Sequence, residues 1–407
     1  MVVWALVKIA FASLWANRLR SGLTLLGVII GVTSVMTIIS ALEGMMGAIE
    51  NQLATLGPTT FVVSTVGGVI TSEEQWREML KRKPIKLEYA RDIEESCSQC
   101  LTVSKRVYGS GEVKYRDRKL RNVPIMGVNA NFIDIVDYEV AQGRFFSQEE
   151  DYHRRNVVFI GETLREEFFS GIDAIGKEIR INGTKFTVVG VAKKRGSLFG
   201  DDQDNFAVIP VEPHIRLFGD PGRRAAIFVK AASVATLDEA MDEVRLVLRS
   251  RRQVPYNKPD DFNMITADNL LASLNAITKS FRLTLVGISS IALVVGGIVV
   301  MNIMMVSVTE RTREIGIRKS IGARRRHILL QFLFEALMTT LSGGLVGIVL
   351  GYILAGSLVR LLDATISPSG LAISLGLSIS VGIGLIFGIY PAMKAARLDP
   401  IKALSYE

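Results

Sequence analysis

LTLVGISSIALVVGGIVVMNIMMVSVT, Leu283–Thr309, contains no charged side chain, and its reading decides the fold. A helix needs about 20 apolar residues to cross the roughly 30 Å hydrocarbon layer of a bilayer, so a charge-free run of this length reads as a span and not as a core helix. Three further runs share the property: Ser21–Leu42, Ala336–Val359 and Ala364–Met393. Four such runs, with a mean hydropathy of +0.31, argue against a large soluble protein. The first is separated from the others by a polar segment of residues 46–280, which points to one large domain carried between the first two spans.

Basic residues near span ends are retained on the cytoplasmic side, whereas long domains translocate regardless of charge. Lys8, Arg18 and Arg20 precede the first span. Arg311, Arg313, Arg318, Lys319, Arg324, Arg325 and Arg326 lie between the second and third, against Glu310 and Glu314. Lys394, Arg397 and Lys402 follow the fourth, while the connection from third to fourth carries only Arg360 and Asp363. Both termini are expected in the cytoplasm and residues 46–280 outside. That segment holds 33 basic and 33 acidic residues, so the excess, 48 − 33 = 15 basic against 40 − 33 = 7 acidic, sits beside the membrane. The pI near 9.4 therefore reports topology and anionic headgroups, not nucleic-acid binding.

The expected order is an interfacial helix at 1–20, with Trp4 and Trp15 as anchors, in preference to a cleaved signal peptide. A first span at 21–45 and an α+β extracytoplasmic domain at 46–280 follow. Spans at 281–309, 331–359 and 371–393, a loop at 310–330 and a tail at 394–407 complete the chain. Within the large domain, strand-like segments are Thr60–Val66, Leu101–Tyr108, Val123–Val128, Val157–Ile160, Glu178–Ile181, Lys185–Val191, Phe206–Val211 and Ala226–Val229. Helical spacing marks Leu87–Cys97, Glu162–Phe169 and Leu237–Leu248. Asn182-Gly183 between two of the strands predicts a two-residue hairpin turn. A strand-rich part at about 105–220 is expected as an insert in a smaller α/β unit. Helical periodicity running on through Ala41–Leu56, and leading in through Leu270–Phe281, predicts that the first two spans extend into stalks.

Glycines recur four apart in the spans: Gly27 and Gly31; Gly343, Gly347 and Gly351; Gly376, Ser380, Gly384 and Gly388. Small residues at that spacing let helix backbones approach in lipid, within a bundle or across a dimer. No chain of interior acids or histidines suggests a proton path; Glu335, near one end of the third span, is expected to pair with Arg325, Arg326 or His327. Catalytic patterns are lacking. Gly171-Ile-Asp-Ala-Ile-Gly176-Lys177-Glu178 has glutamate where a phosphate-binding loop needs a hydroxyl, and reads as a turn into a strand. His153, His214 and His327 have no metal-ligand spacing. Cys97 and Cys100 are open to three readings: a local disulfide, a redox pair or two free thiols, with a structural role favoured.

The loop after the second span is the most specific segment. Glu310-Arg-Thr-Arg-Glu-Ile-Gly-Ile-Arg-Lys-Ser-Ile-Gly-Ala323 places charges on one side and Ile315, Ile317, Ile321 and the following Ile328 toward another, as in a short helix that docks on a partner. With Tyr390-Pro391 to Glu407, with Asn17 to Gly31, and with Ile160-Gly161, Ile175-Gly176-Lys177 and Val188-Val189-Gly190, this loop resembles the MacB-type or FtsX-like permease subunits of ABC transporters. Ser405 stands where that family usually has arginine.

The resemblance implies a four-span permease of the bacterial inner membrane, working as a homodimer or a paired permease. It implies no catalytic residue and no cofactor on this chain, ATP and magnesium being bound by an ABC ATPase on another polypeptide. By similarity, Glu310, Arg313, Glu314, Ile315, Ile317, Arg318, Ile321, Gly322 and Ala323 form the ATPase-coupling helix. Some members also meet a periplasmic membrane fusion protein. The implied action is mechanotransmission, with efflux of antibiotics or peptides as the leading role. Lipoprotein or lipid extraction, and signalling to cell-wall hydrolases, are the alternatives.

Overall fold

The computed structural model describes residues 18–70, 72–136, 138–198, 200–361 and 370–404. The expected interfacial segment up to Asn17, the first residues of the fourth apolar run from Ala364, and Ser405 lie outside them. In chain order the elements are α1 (Arg18–Ala54), β1 (Thr60–Ser64), α2 (Glu73–Lys81), α3 (Tyr89–Ser96), β2 (Cys100–Tyr115) and β3 (Arg118–Val128). There follow β4 (Val140–Gly143), α4 (Gln148–Tyr152), β5 (Val157–Ile160), α5 (Glu162–Phe169), β6 (Glu178–Ile181) and β7 (Thr184–Ala192). Next come β8 (Ser197–Leu198), β9 (Asp201–Asp202), β10 (Ala207–Pro210), α6 (Val211–Phe218), β11 (Ala225–Ala231), α7 (Leu237–Arg251) and β12 (Asn263–Thr266). The chain ends with α8 (Ala267–Glu310), α9 (Thr312–Ser320), α10 (Arg325–Leu361), α11 (Gly370–Arg397) and α12 (Pro400–Leu404). Two units form: Gly47–Ala276, and the segments on either side of it.

In the α+β unit, alternation of apolar and polar residues sets the sheet. In β6, Ile179 and Ile181 are buried while Glu178 and Arg180 face solvent. The β6–β7 turn is the expected one, with Asn182 and Gly183 both at positive φ, 45° and 87°. Hydrogen bonding closes six strands on themselves: β2 to β3, β3 to β10, β10 to β5, β5 to β7, β7 to β6, and β6 back to β2. Val113, Ile125, Val158, Ile181, Phe186 and Val188 fill this barrel, and α5 plugs it with Phe168 and Phe169. β11, β1 and β12 continue the sheet from β2, under α3 and α7, with Phe61, Ile93, Ile227 and Val244 in their own apolar cluster. The strand-rich part and its flanks thus share β2, a strand twice the length expected from Leu101–Tyr108.

β4 and β12 lie outside the expected strand segments; all four β4 residues are exposed at the sheet edge. Phe206–Val211 is a strand only to Pro210, where α6 starts with proline at its third position, a place that needs no N–H donor.

His214 of α6 lies beneath glycines of β2 and β3; a Cβ on Gly127 would sit 2.5 Å from its own Cβ. Its Nε2 faces the Ile125 carbonyl at 3.2 Å, so the proton is on Nε2, while Nδ1 has no partner. Burial holds its pKa down at about 4.

Four helices are long and apolar enough to span a membrane: within α1, Leu25–Ala54; α8, Ala267–Glu310; within α10, Arg325–Arg360; and within α11, Ala372–Arg397. α8 is about 66 Å long at 1.5 Å per residue, twice the hydrocarbon thickness. The glycines are used within the chain. Gly27 meets Gly296, where an added Cβ would lie 2.8 Å from the opposing Cα, and Gly31 faces Leu293. Gly343, Gly347 and Gly351 of α10 receive Val28, Val32 and Met36 of α1. Gly384 and Gly388 of α11 receive Thr340 and Ala336 of α10. Close approach also lets Thr33 Oγ1 donate to the Gly347 carbonyl at 3.1 Å.

Two outcomes follow. Gly351→Ala places a Cβ 2.5 Å from Met36 Cβ and is expected to lower stability in detergent by about 1–3 kcal/mol, whereas Gly356→Ala, whose Cβ meets no atom of the described residues within 4 Å, holds or slightly raises the thermal midpoint. For His214 the unfolded chain binds a proton below about 6.5 and the folded one only near 4. Stability therefore falls as pH drops through that window, and His214→Gln flattens the slope in acid-unfolding curves.

Candidate functional site

α8 ends at Glu310, and the chain turns at Arg311 into α9. Thr312 Oγ1 donates back to the Val308 carbonyl at 3.0 Å. Among the described residues Arg311 reaches Glu335 of α10 at 3.2 Å, where Arg325, Arg326 or His327 was the expected ion-pair partner. The pairing joins the start of the loop to the next span, a non-local contact that spacing along the sequence does not show. At its other end α9 stops before Gly322, whose φ of 102° an L side chain rarely adopts. α10 starts at Arg325, six residues earlier than expected, so the connection is shorter than the 310–330 loop.

Helical period divides α9 into two faces. Thr312, Ile315 and Gly316 are buried and Lys319 half-buried; Arg313, Glu314, Ile317 and Ile321 are exposed. This corrects the expectation that Ile315, Ile317, Ile321 and Ile328 share one docking face. Ile315, 2% exposed, and Ile328 belong to the base of the bundle with Val308, Phe332 and Ala395, and Ala323 packs against the same cluster. Ile317 and Ile321 point the other way, 45% and 81% exposed. Glu314 pairs with Arg318, which also donates to Gln331 Oε1 at 2.7 Å. Glu310 and Gly322 are exposed at the two ends.

The buried face of α9 holds the C-terminal segment. Gly316 lets Ala403 of α12 approach, with 2.8 Å between an added Cβ and the Ala403 Cβ. Lys319 Nζ donates to the carbonyls of Ala396 and Leu398, both at 2.6 Å, satisfying acceptors at the end of α11 where a positive charge is favoured. Burial lowers the Lys319 pKa, Arg325 adds to this and Asp399 opposes it. α12 then exposes Ile401 and Leu404, at 78% and 46%. The tail is expected on the same side as the loop from Lys394, Arg397 and Lys402, but no docking role is expected of Ile401 and Leu404; their spacing on a short helix is the signal that could have found them. Two packed helices thus present four apolar side chains among arginines.

Cys97 and Cys100 form a disulfide, with Cα atoms 5.4 Å apart, between the end of α3 and the start of β2. Gly176 lies in the turn before β6, and Gly161 and Gly190 are pressed against the backbone of Asp204 and Arg144, which accounts for glycine in those segments.

A four-span bundle with a large domain between its first two helices is the architecture of a multi-pass membrane permease. Residues 21–247 match the MacB-like periplasmic core domain and residues 286–400 the FtsX-like permease C-terminal domain, and the chain belongs to this MacB-like family of ABC-transporter permeases. The macrolide export ATP-binding/permease protein MacB of Bdellovibrio bacteriovorus is 37% identical over 403 residues, covering 98% of this chain and 61% of that protein. That of Azoarcus sp. is 34% identical, covering 98% and 59%. The chain spans about three-fifths of the length of these relatives. The solved periplasmic region of MacB from Actinobacillus actinomycetemcomitans aligns at 18% identity over 56% of this chain and 97% of its own, with a TM-score of 0.46.

The two faces of α9 predict opposite outcomes for the same chemical change. Ile315→Asp buries an unpaired carboxylate and is expected to prevent recovery of a monodisperse protein in gel filtration. The Ile317→Asp, Ile321→Asp double variant should elute and melt as the parent does.

Proposed function

We propose that this chain is the force-transmitting permease of an ABC exporter, with ATP bound and hydrolysed by a domain or subunit outside these 407 residues. The observation that carries the reading is the outward pair Ile317, on α9, and Ile321, at its C-terminal cap. An apolar face on a short helix, held rigidly to the bundle by Arg311–Glu335 and by Lys319 on the α11 carbonyls, suits docking into a groove on an ATPase. Arg313, Glu314, Arg318 and the exposed Arg324 form a polar rim.

In this reading the loop, the tail and both termini are cytoplasmic, as the concentration of arginine and lysine there supports, and the α+β unit lies outside. Closure of the ATPases moves α9; α1 and α8, which run unbroken from the spans to Ala54 and from Ala267, carry the motion outward. Substrate is then driven from the outer side without passing through the bundle. Macrolide-type antibiotics are the proposed cargo, the relatives' name being the support for it, with peptides the other cargo that the resemblance implies. The permease works as a pair, with a membrane fusion protein on the outer domain.

The test is reconstitution in nanodiscs with the cognate ATP-binding component. The Ile317→Asp, Ile321→Asp variant should lose co-purification of that component and fall to its basal ATPase rate, at unchanged melting temperature. Full retention of both would sink the docking assignment. In cells, deletion should raise sensitivity to macrolides; unchanged sensitivity with accumulated outer-leaflet lipoprotein would replace export by lipoprotein extraction.

A further inference from the structure

We propose that the outer wall of the six-strand barrel binds a phosphate-bearing anion, through a row of cations crossing β3, β2, β6 and β7. The pairing registers put Lys119 opposite Lys114, Lys114 opposite Arg180, and Arg180 opposite Lys185. Directly paired residues point to the same side of a sheet, and all four are exposed while their neighbours Val113, Ile179, Ile181 and Phe186 fill the barrel. Arg116 joins them at the β2–β3 turn, held at a φ of 52° with its guanidinium over the Tyr115 ring.

Like charges placed directly opposite one another across strands oppose folding. Here four follow in sequence. Among the described residues one carboxylate enters the row: Glu178, 2.8 Å from Lys185. Lys114, Lys119 and Arg180 meet no carboxylate. The nearby Glu112 is turned to Arg121 at 3.4 Å. Over residues 112–121 and 178–185, seven basic side chains stand against Glu112, Asp117 and Glu178.

The part of the row on β2, β6 and β7 is also concave, with Lys119 of β3 outside the recess. Lys114, Arg116, Glu178, Arg180 and Lys185 line a recess of about 380 Å³. Neighbouring strands are about 4.8 Å apart, so cations from adjacent strands converge on a ligand the size of a phosphate group. A single carboxylate answers one of them, whereas a multiply charged tetrahedral anion takes a guanidinium fork and two ammonium groups together. Because the cations stand on strands backed by a filled core, their spacing does not depend on a loop ordering around the ligand. Phosphate of this kind is offered by a soluble phosphate compound or by a lipid headgroup. The inference is independent of the coupling role of α9.

The full chain in phosphatidylcholine nanodiscs, at low ionic strength, is titrated with inorganic tripolyphosphate by calorimetry and thermal shift. Binding and a raised melting temperature are expected, both weakening as salt is added. Lys114→Gln with Arg180→Gln should lower the affinity by about a hundredfold, near tenfold for each charge-assisted contact removed, and raise the melting temperature of the unliganded chain. A charge-matched control, Lys83→Gln with Lys258→Gln, should keep the parent affinity. In the second arm the nanodiscs are mixed with vesicles of phosphatidylcholine with or without phosphatidate. Phosphatidate-dependent capture that the double variant loses assigns a headgroup; tripolyphosphate binding without capture assigns a soluble phosphate. Absence of both, or equal affinity in the double variant and the parent, overturns the proposal.

Discussion

The hydrocarbon layer offers no partner to a polar group, and the bundle is organised around that constraint. Backbone amides must be satisfied within each helix, and charge is confined to the ends of the spans. Apolar side chains gain little by leaving lipid for one another, so helix association rests on close contact. Gly27 against Gly296, and Gly343, Gly347 and Gly351 against Val28, Val32 and Met36, supply it. Once backbones approach that closely, Thr33 and Thr37 can donate to carbonyls of the facing α10, at 3.1 and 3.3 Å.

The same confinement makes the loop after α8 structural. Charges expelled from the spans collect there, and the fold uses them: Arg311 neutralises Glu335 at the edge of the apolar layer, and Lys319 satisfies carbonyls that the end of α11 leaves open. These contacts fix the orientation of α9, and so decide which isoleucines turn outward. Ile317 and Ile321 are surface residues because Ile315, Gly316 and Lys319 are anchors. A face with apolar side chains toward water costs solvation unless a partner covers it, which is why this face is the candidate site and the glycine seams are not.

The α+β unit solves a different problem. Its long β2 serves as a wall of the barrel and as a member of the flanking sheet, so two apolar clusters are separated by one set of strands. Closure of β6 onto β2 removes a sheet edge that would otherwise be open to pairing with another chain. It also brings the cations of β2 and β6 into one row, a juxtaposition that each strand alone would avoid.

The sequence by itself determined the elements whose cause is local. Four apolar runs gave the spans, period 3.6 carried α1 and α8 beyond the bilayer, a short β-branched apolar run gave β5 and period 2 gave β6, both to the residue. Asn182-Gly183 fixed a hairpin, because positive φ at both positions is a property of those residues. Tertiary structure decided whatever depends on partners far apart in the chain. Spacing alone put Ile315, Ile317, Ile321 and Ile328 together; the C-terminal segment, packing through Ala403 onto Gly316, claimed one side of α9 and split them. Glu335 had three basic neighbours in sequence, yet its partner Arg311 is 24 positions away, brought there by the turn between two spans. Barrel closure through β2 and β6 and the exposed Ile401 and Leu404 have the same character: each depends on how distant segments pair and pack, and packing is a sum over the whole chain.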